Sequence, residues 1–542
     1  MNRLVGSFIF LIFTYVHRLA ARPRCNSLVT AEPYNEPIKT EGEIMVWELD
    51  WLEGRRRIAP DKQAIIDAEQ EKTWTFAELH DLCATTVNWL YELGVRKGDR
   101  VALLSPNNIS YFQLLIACGK IGAIFVPINW RLSFHEIEYI LQDCTPKLVG
   151  YHSSFSENIR NEVFSGYQIF QMDKEEWEMD GDPFFVDALD EKDPLAIIYT
   201  GGTTGKPKGV VLSHQSMIWN AMNTIISWNL TNDDTTVTYM PLFHTGGINA
   251  LSLPILIAGG TVVIARDFKP EKAIHYLNKY QCTTVLLVPT MYQMLIETDE
   301  FKRNPFRSMK VFLSGGAPCP LDIYEAFKRK GILFKEGYGL TEAGPNNFFI
   351  DPVEALRKPG SVGKPMMFNL IKLMKENGEE AAVDEVGEVH IKGKHSFEYY
   401  WKNEEATKGT MKDGWIHTGD LAKKDEEGYY YIVGRKKDMI ITGGENVYPL
   451  EVEHWLSAHP QIEEVAVIGT PDKKWGEKVA AFIVAKNHQS LTVEELKSYC
   501  SHKLGKYKIP KVFHFIEQLP TTSVGKIDKK LLKEMSMKIT SE

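Results

Sequence analysis

Residues 197–210, Ile-Ile-Tyr-Thr-Gly-Gly-Thr-Thr-Gly-Lys-Pro-Lys-Gly-Val, constrain this chain more than any other stretch. An apolar, strand-like run from Leu195 to Tyr199 feeds a segment with four glycines, three threonines and two lysines. Glycines let backbone N–H groups close on an anion, hydroxyls add donors, and lysines add positive charge. That is the chemistry of a polyphosphate cradle; the plain alternative is a flexible glycine-rich surface turn. It is not a Walker A loop, which needs G-x-x-x-x-G-K-[ST] opening a helix. Five residues before Gly205 stands Thr200, and Lys206 is followed by Pro207.

At 542 residues the chain exceeds one ordinary core, so two or more domains are expected. Thr75 can cap a helix over Phe76–Leu93, ended by Gly94. Arg100–Leu104 reads as a strand, Tyr111–Gly122 as a helix and Ala123–Ile128 as another strand. The strand–loop–helix beat recurs at 195–228, 283–298 and 310–330. Continuous apolar strands such as Thr284–Val288 suit a parallel sheet buried on both faces. The fold class expected is layered α/β, with ligands at the carboxyl ends of strands. Two further loops stand there: Ser314-Gly315-Gly316-Ala317-Pro318 and Tyr338-Gly339-Leu340-Thr341-Glu342. Past Pro365 the texture becomes β-rich, as in Gly387–Gly393 and Gly414–Asp420. Gly434-Arg435-Lys436-Lys437-Asp438 then links to a small α+β C-terminal domain.

Together these stretches resemble the adenylate-forming superfamily of acyl- and aryl-CoA synthetases from about Met45 to Lys530, and most closely the long-chain-fatty-acid–CoA ligases. Six motifs agree in order and spacing, although the usual Thr-Ser-Gly reads Thr200-Gly201-Gly202, one hydroxyl short. The resemblance implies a large AMP-binding domain over 45–434 and a small mobile domain over 435–542. It also implies ATP, Mg²⁺ and CoA as reactants: a carboxylate attacks the ATP α-phosphate, then the CoA thiol displaces AMP.

Carried over residue by residue, it places Thr200, Gly201, Gly202, Thr203, Thr204, Gly205, Lys206 and Lys208 around the β- and γ-phosphates. Thr341 would touch the α-phosphate and Glu342 would ligate Mg²⁺, a hard cation suited to a carboxylate. Ala317 and Tyr338 would sandwich adenine, with Gly316 and Gly339 among the cofactor-binding residues beside them, and Asp420 and Arg435 would hold the ribose hydroxyls. Lys526, in Pro520-Thr521-Thr522-Ser523-Val524-Gly525-Lys526, resembles the family's catalytic lysine, a cation bridging carboxylate and α-phosphate. Lys437 matches the hinge, and Gly443-Gly444 the lining of a pantetheine tunnel. His244 matches a wall of the acyl pocket.

Near His244 the stretch Gly246–Ile255 carries no charge, which suits an unbranched apolar acid better than an amino acid. Alkyl and aromatic acids both satisfy that; the overall resemblance leans to fatty acids. The alternatives are an aryl- or succinylbenzoate-type ligase and, from another class, an inactive acyl-nucleotide or fatty-acid binding protein. A luciferase-like oxygenase shares the motifs, and a peptide-synthetase module would need a carrier site downstream.

A net charge of −9 argues against nucleic acid as a partner. Seven dispersed cysteines without C-x-x-C suggest free thiols in a reducing, cytoplasmic setting. Peripheral membrane contact and a homodimer are both compatible with the chain. Residues 1–44 stand apart: Leu4–Val16 is a 13-residue, mostly apolar run, short of the roughly 20 residues of a span. It reads as a signal-like core, as a membrane tether, or as sequence ahead of a working start at Met45.

Overall fold

The computed structural model describes residues 49–173, 189–201, 206–486, 491–522 and 527–541. Two seven-stranded sheets form the larger part. The first is parallel through Thr235–Thr238, Thr261–Ile264, Thr284–Leu287, Val311–Ser314 and Phe334–Glu336, and Gln63–Asp67 joins it parallel to Thr261–Ile264. The second carries Arg100–Leu104, Ile124–Ile128, Leu148–Tyr151, Gln168–Gln171 and Pro194–Thr200 in parallel. This is the layered α/β fold expected.

Alternation along the strands explains the layering. Val101 and Leu103 enter one core, Ala102 and Leu104 another on the opposite face. In the first sheet Val262 and Ile264 enter that same shared core, whereas Val263 faces a third. Apolar residues on both faces require helices on both faces. Helix Ser110–Ile121, buried at all twelve positions, fills the shared core and ends at Gly122 in the left-handed region, φ 76°. A Cβ there would come within 2.6 Å of Leu189.

The β-rich part is a five-stranded antiparallel sheet containing Leu370–Met374, Gly387–Lys392, Trp415–Lys424 and Tyr430–Arg435. A separate five-stranded sheet, with Ile462–Asp472 and Gly476–Ala485 as its long hairpin, forms the C-terminal part and has cores of its own. Helices Pro449–Ser457 and Val493–Ser501 pack with it, giving the α+β character expected of this part.

One expectation needs correction. After the glycine-rich loop the chain returns at once as strand Lys208–Ser213, antiparallel to Pro194–Thr200, before helix His214–Trp228 begins. The glycine-rich stretch therefore connects two antiparallel strands rather than a strand and a helix. Strand Tyr399–Tyr400, more than 180 residues on, pairs with the outer side of this hairpin.

Among the described residues no helix is long and apolar enough to cross a membrane. Six cysteines, 83, 118, 144, 282, 319 and 500, are free and buried.

Candidate active site

The hairpin aligns Thr200 with Lys208 across its open end. Gly202, Thr203, Thr204 and Gly205 lie outside the described residues, as does Lys526. Gly201 and Lys206, on either side of them, are exposed. Lys206 Nζ stands 5.5 Å from the Tyr139 ring centroid, and Lys208 Nζ 5.1 Å from that of Tyr400.

Tyr400 ties this loop to the next. Its hydroxyl donates to Glu342 Oε1 at 2.6 Å, while the Phe397 N–H donates to the Glu342 carbonyl at 2.8 Å. The Trp401 N–H reaches the Gly209 carbonyl at 2.7 Å. Glu342 is thus fixed by one oxygen, and its other oxygen accepts no hydrogen bond from the described residues. Thr341 is buried beside it in a short 3₁₀ turn, Thr341–Ala343. Strand Tyr399–Tyr400 was missed from sequence; the aromatic run Tyr399-Tyr400-Trp401 carries a strand propensity that could have found it.

The turn holding Thr341 and Glu342 folds back tightly. Leu340 N–H donates to the Gly344 carbonyl at 3.1 Å and Asn347 N–H to the Tyr338 carbonyl at 3.0 Å. At Gly339 a Cβ would lie 2.2 Å from the Pro345 carbonyl, so the close approach requires glycine. Buried asparagines anchor the loop from behind: Asn346 Nδ2 donates to the Ala250 carbonyl at 2.7 Å and to Thr224 Oγ1 at 3.0 Å. Asn347 Nδ2 donates to the Gly344 carbonyl at 2.9 Å. These too went unread in the sequence, because buried amides follow no apolar period.

Tyr338 begins a second constellation. Its hydroxyl donates to Asp420 Oδ2 at 2.6 Å, and Arg435 Nε donates to Asp420 Oδ1 at 2.9 Å. Asp420 and Arg435 are register partners on adjacent antiparallel strands. Burial, and then the neighbouring Asp420 carboxylate, push the Tyr338 phenol well above its ordinary value. It therefore stays a donor at neutral pH.

Gly316 and Ala317 run alongside, since Gly337 N–H donates to the Ser314 carbonyl at 2.8 Å. Glu336 pins their loop: Oε1 accepts from the Cys319 N–H at 3.2 Å and Oε2 from the Tyr324 hydroxyl at 2.9 Å. Burial pushes this carboxyl up to about 8. Its neighbour Lys335 faces the other way, its Nζ 4.0 Å from the Trp228 ring and 4.7 Å from Phe349.

His244 stands on a separate loop. Asn107 holds that loop, Oδ1 accepting the Leu242 N–H at 2.8 Å and Nδ2 donating to the Met240 carbonyl at 3.0 Å. Gly247 is required by the Pro241 carbonyl, 2.2 Å from any Cβ. Leu251, Leu253 and Ile255 turn into the shared core, while Gly246 stays half-buried. Phe243, the residue before His244, lines a cavity of about 280 Å³ together with Trp130, Arg131, Phe155 and Arg266; His244 itself is not among the lining residues. Arg266 Nε is buried there without a hydrogen-bond partner.

Lys437 lies, exposed, in the 3₁₀ turn Lys436–Asp438 that follows Arg435. Gly443 and Gly444 form the two-residue tip of a hairpin, with φ of 61° and 86°. Positive φ at both positions is the demand of a tight type I′ turn, which by itself accounts for the glycines.

Comparison with known proteins gives a consistent picture. A family model described as AMP-binding enzyme matches residues 52–401, and one described as AMP-binding enzyme C-terminal domain matches 451–526. Feruloyl-CoA synthase of Amycolatopsis sp is 36% identical over 88% of this chain and 97% of its own length. Indoleacetate–CoA ligase of Aromatoleum aromaticum is 32% identical over 90% and 97%. The structure of o-succinylbenzoate CoA synthetase from Bacillus subtilis with its acyl-adenylate intermediate superposes with a TM-score of 0.82 at 33% identity, covering 89% of this chain and 97% of that one. That enzyme is also solved with ATP and magnesium ion. A fatty acyl CoA synthetase of Mycobacterium tuberculosis matches with a TM-score of 0.72 at 32% identity, covering 90% and 97%.

Proposed function

Because this chain belongs to the AMP-binding enzyme family, we propose that it activates an aryl-substituted carboxylic acid as its adenylate and passes the acyl group to CoA. At the coarser level it is an AMP-forming acid–CoA ligase using ATP, Mg²⁺ and CoA. The long-chain fatty acid suggested by the motifs gives way here. The curated relatives named above act on acids that carry an aromatic ring, which favours the aryl alternative. The observation that carries the ligase reading is the joining of three sequence-distant segments, the Tyr338–Glu342 loop, strand Tyr399–Tyr400 and the Asp420–Arg435 strand pair, through Tyr400–Glu342 and Tyr338–Asp420–Arg435.

A carboxylate is a poor acyl donor because its leaving group would be oxide. In the first step its oxygen bonds the α-phosphorus and the bond to the β-phosphate oxygen breaks, releasing pyrophosphate. In the second the CoA thiolate attacks the acyl carbon and AMP leaves. The chain's task is positioning and charge stabilisation. The hairpin loop, with Thr200, Lys206 and Lys208, offers hydroxyl, backbone and ammonium donors to the polyphosphate. Asp420 and Arg435 present an acceptor and a donor side by side, suited to ribose hydroxyls. Magnesium fits Glu342, whose Tyr400-held carboxylate keeps one oxygen available; bound there, it would neutralise phosphate charge. Lys526 supplies the cation that bridges carboxylate and α-phosphate. The cavity that Phe243 lines, with Arg131 and Arg266 and aromatic walls, has the donor set for the phosphates and adenine of CoA.

The experiment is pyrophosphate release from ATP and Mg²⁺, with and without CoA, across ferulate, indoleacetate, 2-succinylbenzoate and palmitate, with Lys526→Ala as control. An aryl acid should turn over fastest, and Lys526→Ala should lose about 10²–10³ in rate. Fastest release with palmitate would restore the fatty-acid reading.

A further inference from the structure

We propose that Glu388, His390 and His417 form a binding site for one divalent transition-metal ion of the zinc type, beside the segment that leads to Lys437. Glu388 and His390 are two residues apart on strand Gly387–Lys392 and share a face of the sheet. His417, on strand Trp415–Lys424, is the register partner of His390. Ligand atoms from the three residues all lie within 4.8 Å of one another, and no other such group of three occurs among the described residues. The two imidazole centroids are 3.9 Å apart, and His390 Nε2 is 3.9 Å from Glu388 Oε1.

Four-coordinate zinc takes nitrogen and oxygen ligands at about 2.0–2.2 Å, which sets ligand atoms roughly 3.3 Å from one another. Side-chain rotation of about an ångström closes this group to that geometry, with the strand backbones left in place. Two imidazoles and a carboxylate prefer zinc-type ions over magnesium, which favours an all-oxygen shell. Three protein ligands leave a fourth position for water, and the partial exposure of Glu388 and His417 gives the ion a way in. The group takes no part in the adenylation chemistry: Asp420, on the same strand as His417, is engaged by Tyr338 and Arg435.

Its surroundings tie it to the neighbouring turn. Lys436 Nζ lies 3.5 Å from Glu388 Oε2 and 3.6 Å from Glu376 Oε1, and the Gly419 N–H donates to Glu388 Oε1 at 3.2 Å. A divalent ion draws the Glu388 carboxylate away from a half-exposed ammonium, leaving Lys436 to Glu376 alone. Lys372, the register partner of His390 on the other side, adds positive charge and tempers the affinity. The proposal does not depend on which acid the enzyme activates.

The test is Zn²⁺ titration of the metal-stripped full chain against a chromogenic chelator. One equivalent should bind, weakened at least about tenfold in both His390→Gln and His417→Gln. Glu342→Gln, which removes the carboxylate assigned to the ATP-linked magnesium, should leave zinc binding unchanged. The absence of a stoichiometric site, or a site indifferent to both histidine changes, overturns the proposal. Cobalt(II) added to the unmodified chain gives a second readout that needs no variant. Intense visible bands of a four- or five-coordinate nitrogen–oxygen site are expected; the pale spectrum of the six-coordinate aqua ion counts against it.

Discussion

At Tyr400 one ring serves two charges, with the Lys208 ammonium near its face and the Glu342 carboxylate accepting from its hydroxyl. A hydrogen bond to a charged group contributes about 1.5–3 kcal/mol. Tyr400→Phe should therefore slow pyrophosphate release about tenfold or more and raise the Mg²⁺ concentration needed for half-maximal rate. An unchanged Mg²⁺ dependence would mean that Glu342 is positioned by the backbone contact alone. Next to the site, Lys335 and Glu336 leave their strand on opposite faces, and burial disfavours the charged form of both. Burial pushes the Lys335 amine down to about 7 and the Glu336 carboxyl up to about 8. The signs oppose each other. Between the unfolded carboxyl value and about 8 the native state holds the Glu336 proton that the unfolded chain has lost, so stability falls as pH rises. From about 7 up to the unfolded lysine value the unfolded chain holds a proton that the native state lacks, so stability rises with pH. Each slope is worth about 1.4 kcal/mol per pH unit at most. Denaturant melts across pH should show Glu336→Gln flattening the acid-side slope. Lys335→Met should flatten the alkaline one and stabilise the fold by a few kcal/mol below pH 7.

The elements that hold the site differ in how plainly the sequence announces them. Thr75 and the helix it caps were legible: the structure has Phe76–Glu92 with a full capping box to Glu78. So were strand Arg100–Leu104 and helix His214–Trp228, because apolar periodicity and caps are local. Strand Lys208–Ser213 was not, since its apolar Val-Val-Leu centre continues a loop and says nothing of antiparallel return. The pairing of Tyr399–Tyr400 with it is a contact across more than 180 residues, which no local pattern encodes. At the site, Asp420, Arg435, Tyr338 and Glu342 were legible as motif residues. The hydroxyls and amides that fix them, from Tyr400, Asn346 and Asn347, were hidden. The Tyr338–Asn347 turn is the element on which most of these converge. Gly339→Ala drives a Cβ into the Pro345 carbonyl and must open the turn. Pyrophosphate release should fall by at least about a hundredfold, while far-UV circular dichroism stays unchanged; near-normal activity would show that the turn yields without moving Thr341 and Glu342.

Across the molecule, one core takes residues from both large sheets and from helix Ser110–Ile121 between them, whereas the C-terminal sheet closes on smaller cores of its own. The two large sheets should therefore lose structure together, and the C-terminal residues at lower denaturant, because small units bury less surface. Hydrogen exchange followed along a guanidinium series checks this: amides of 100–128 and 261–287 should open in step, those of 462–485 earlier. Joint opening of all three would assign the C-terminal sheet to the same cooperative unit. The order of strands also sets a schedule for synthesis. Lys72–Thr75 pairs antiparallel with Gln63–Asp67 almost at once, but Ile65 pairs in parallel with Val262, so this two-stranded edge, the first strands among the described residues, waits nearly 200 residues for the sheet it joins. At about 5–20 residues per second that is on the order of 10–40 s. Through that interval the second sheet can assemble, but the face of the shared core that Gln63–Asp67 helps to cover lies bare. A nascent chain of this protein is thus a client for whatever binds exposed apolar segments in the cell, and slowing translation between residues 75 and 261 lengthens its exposure.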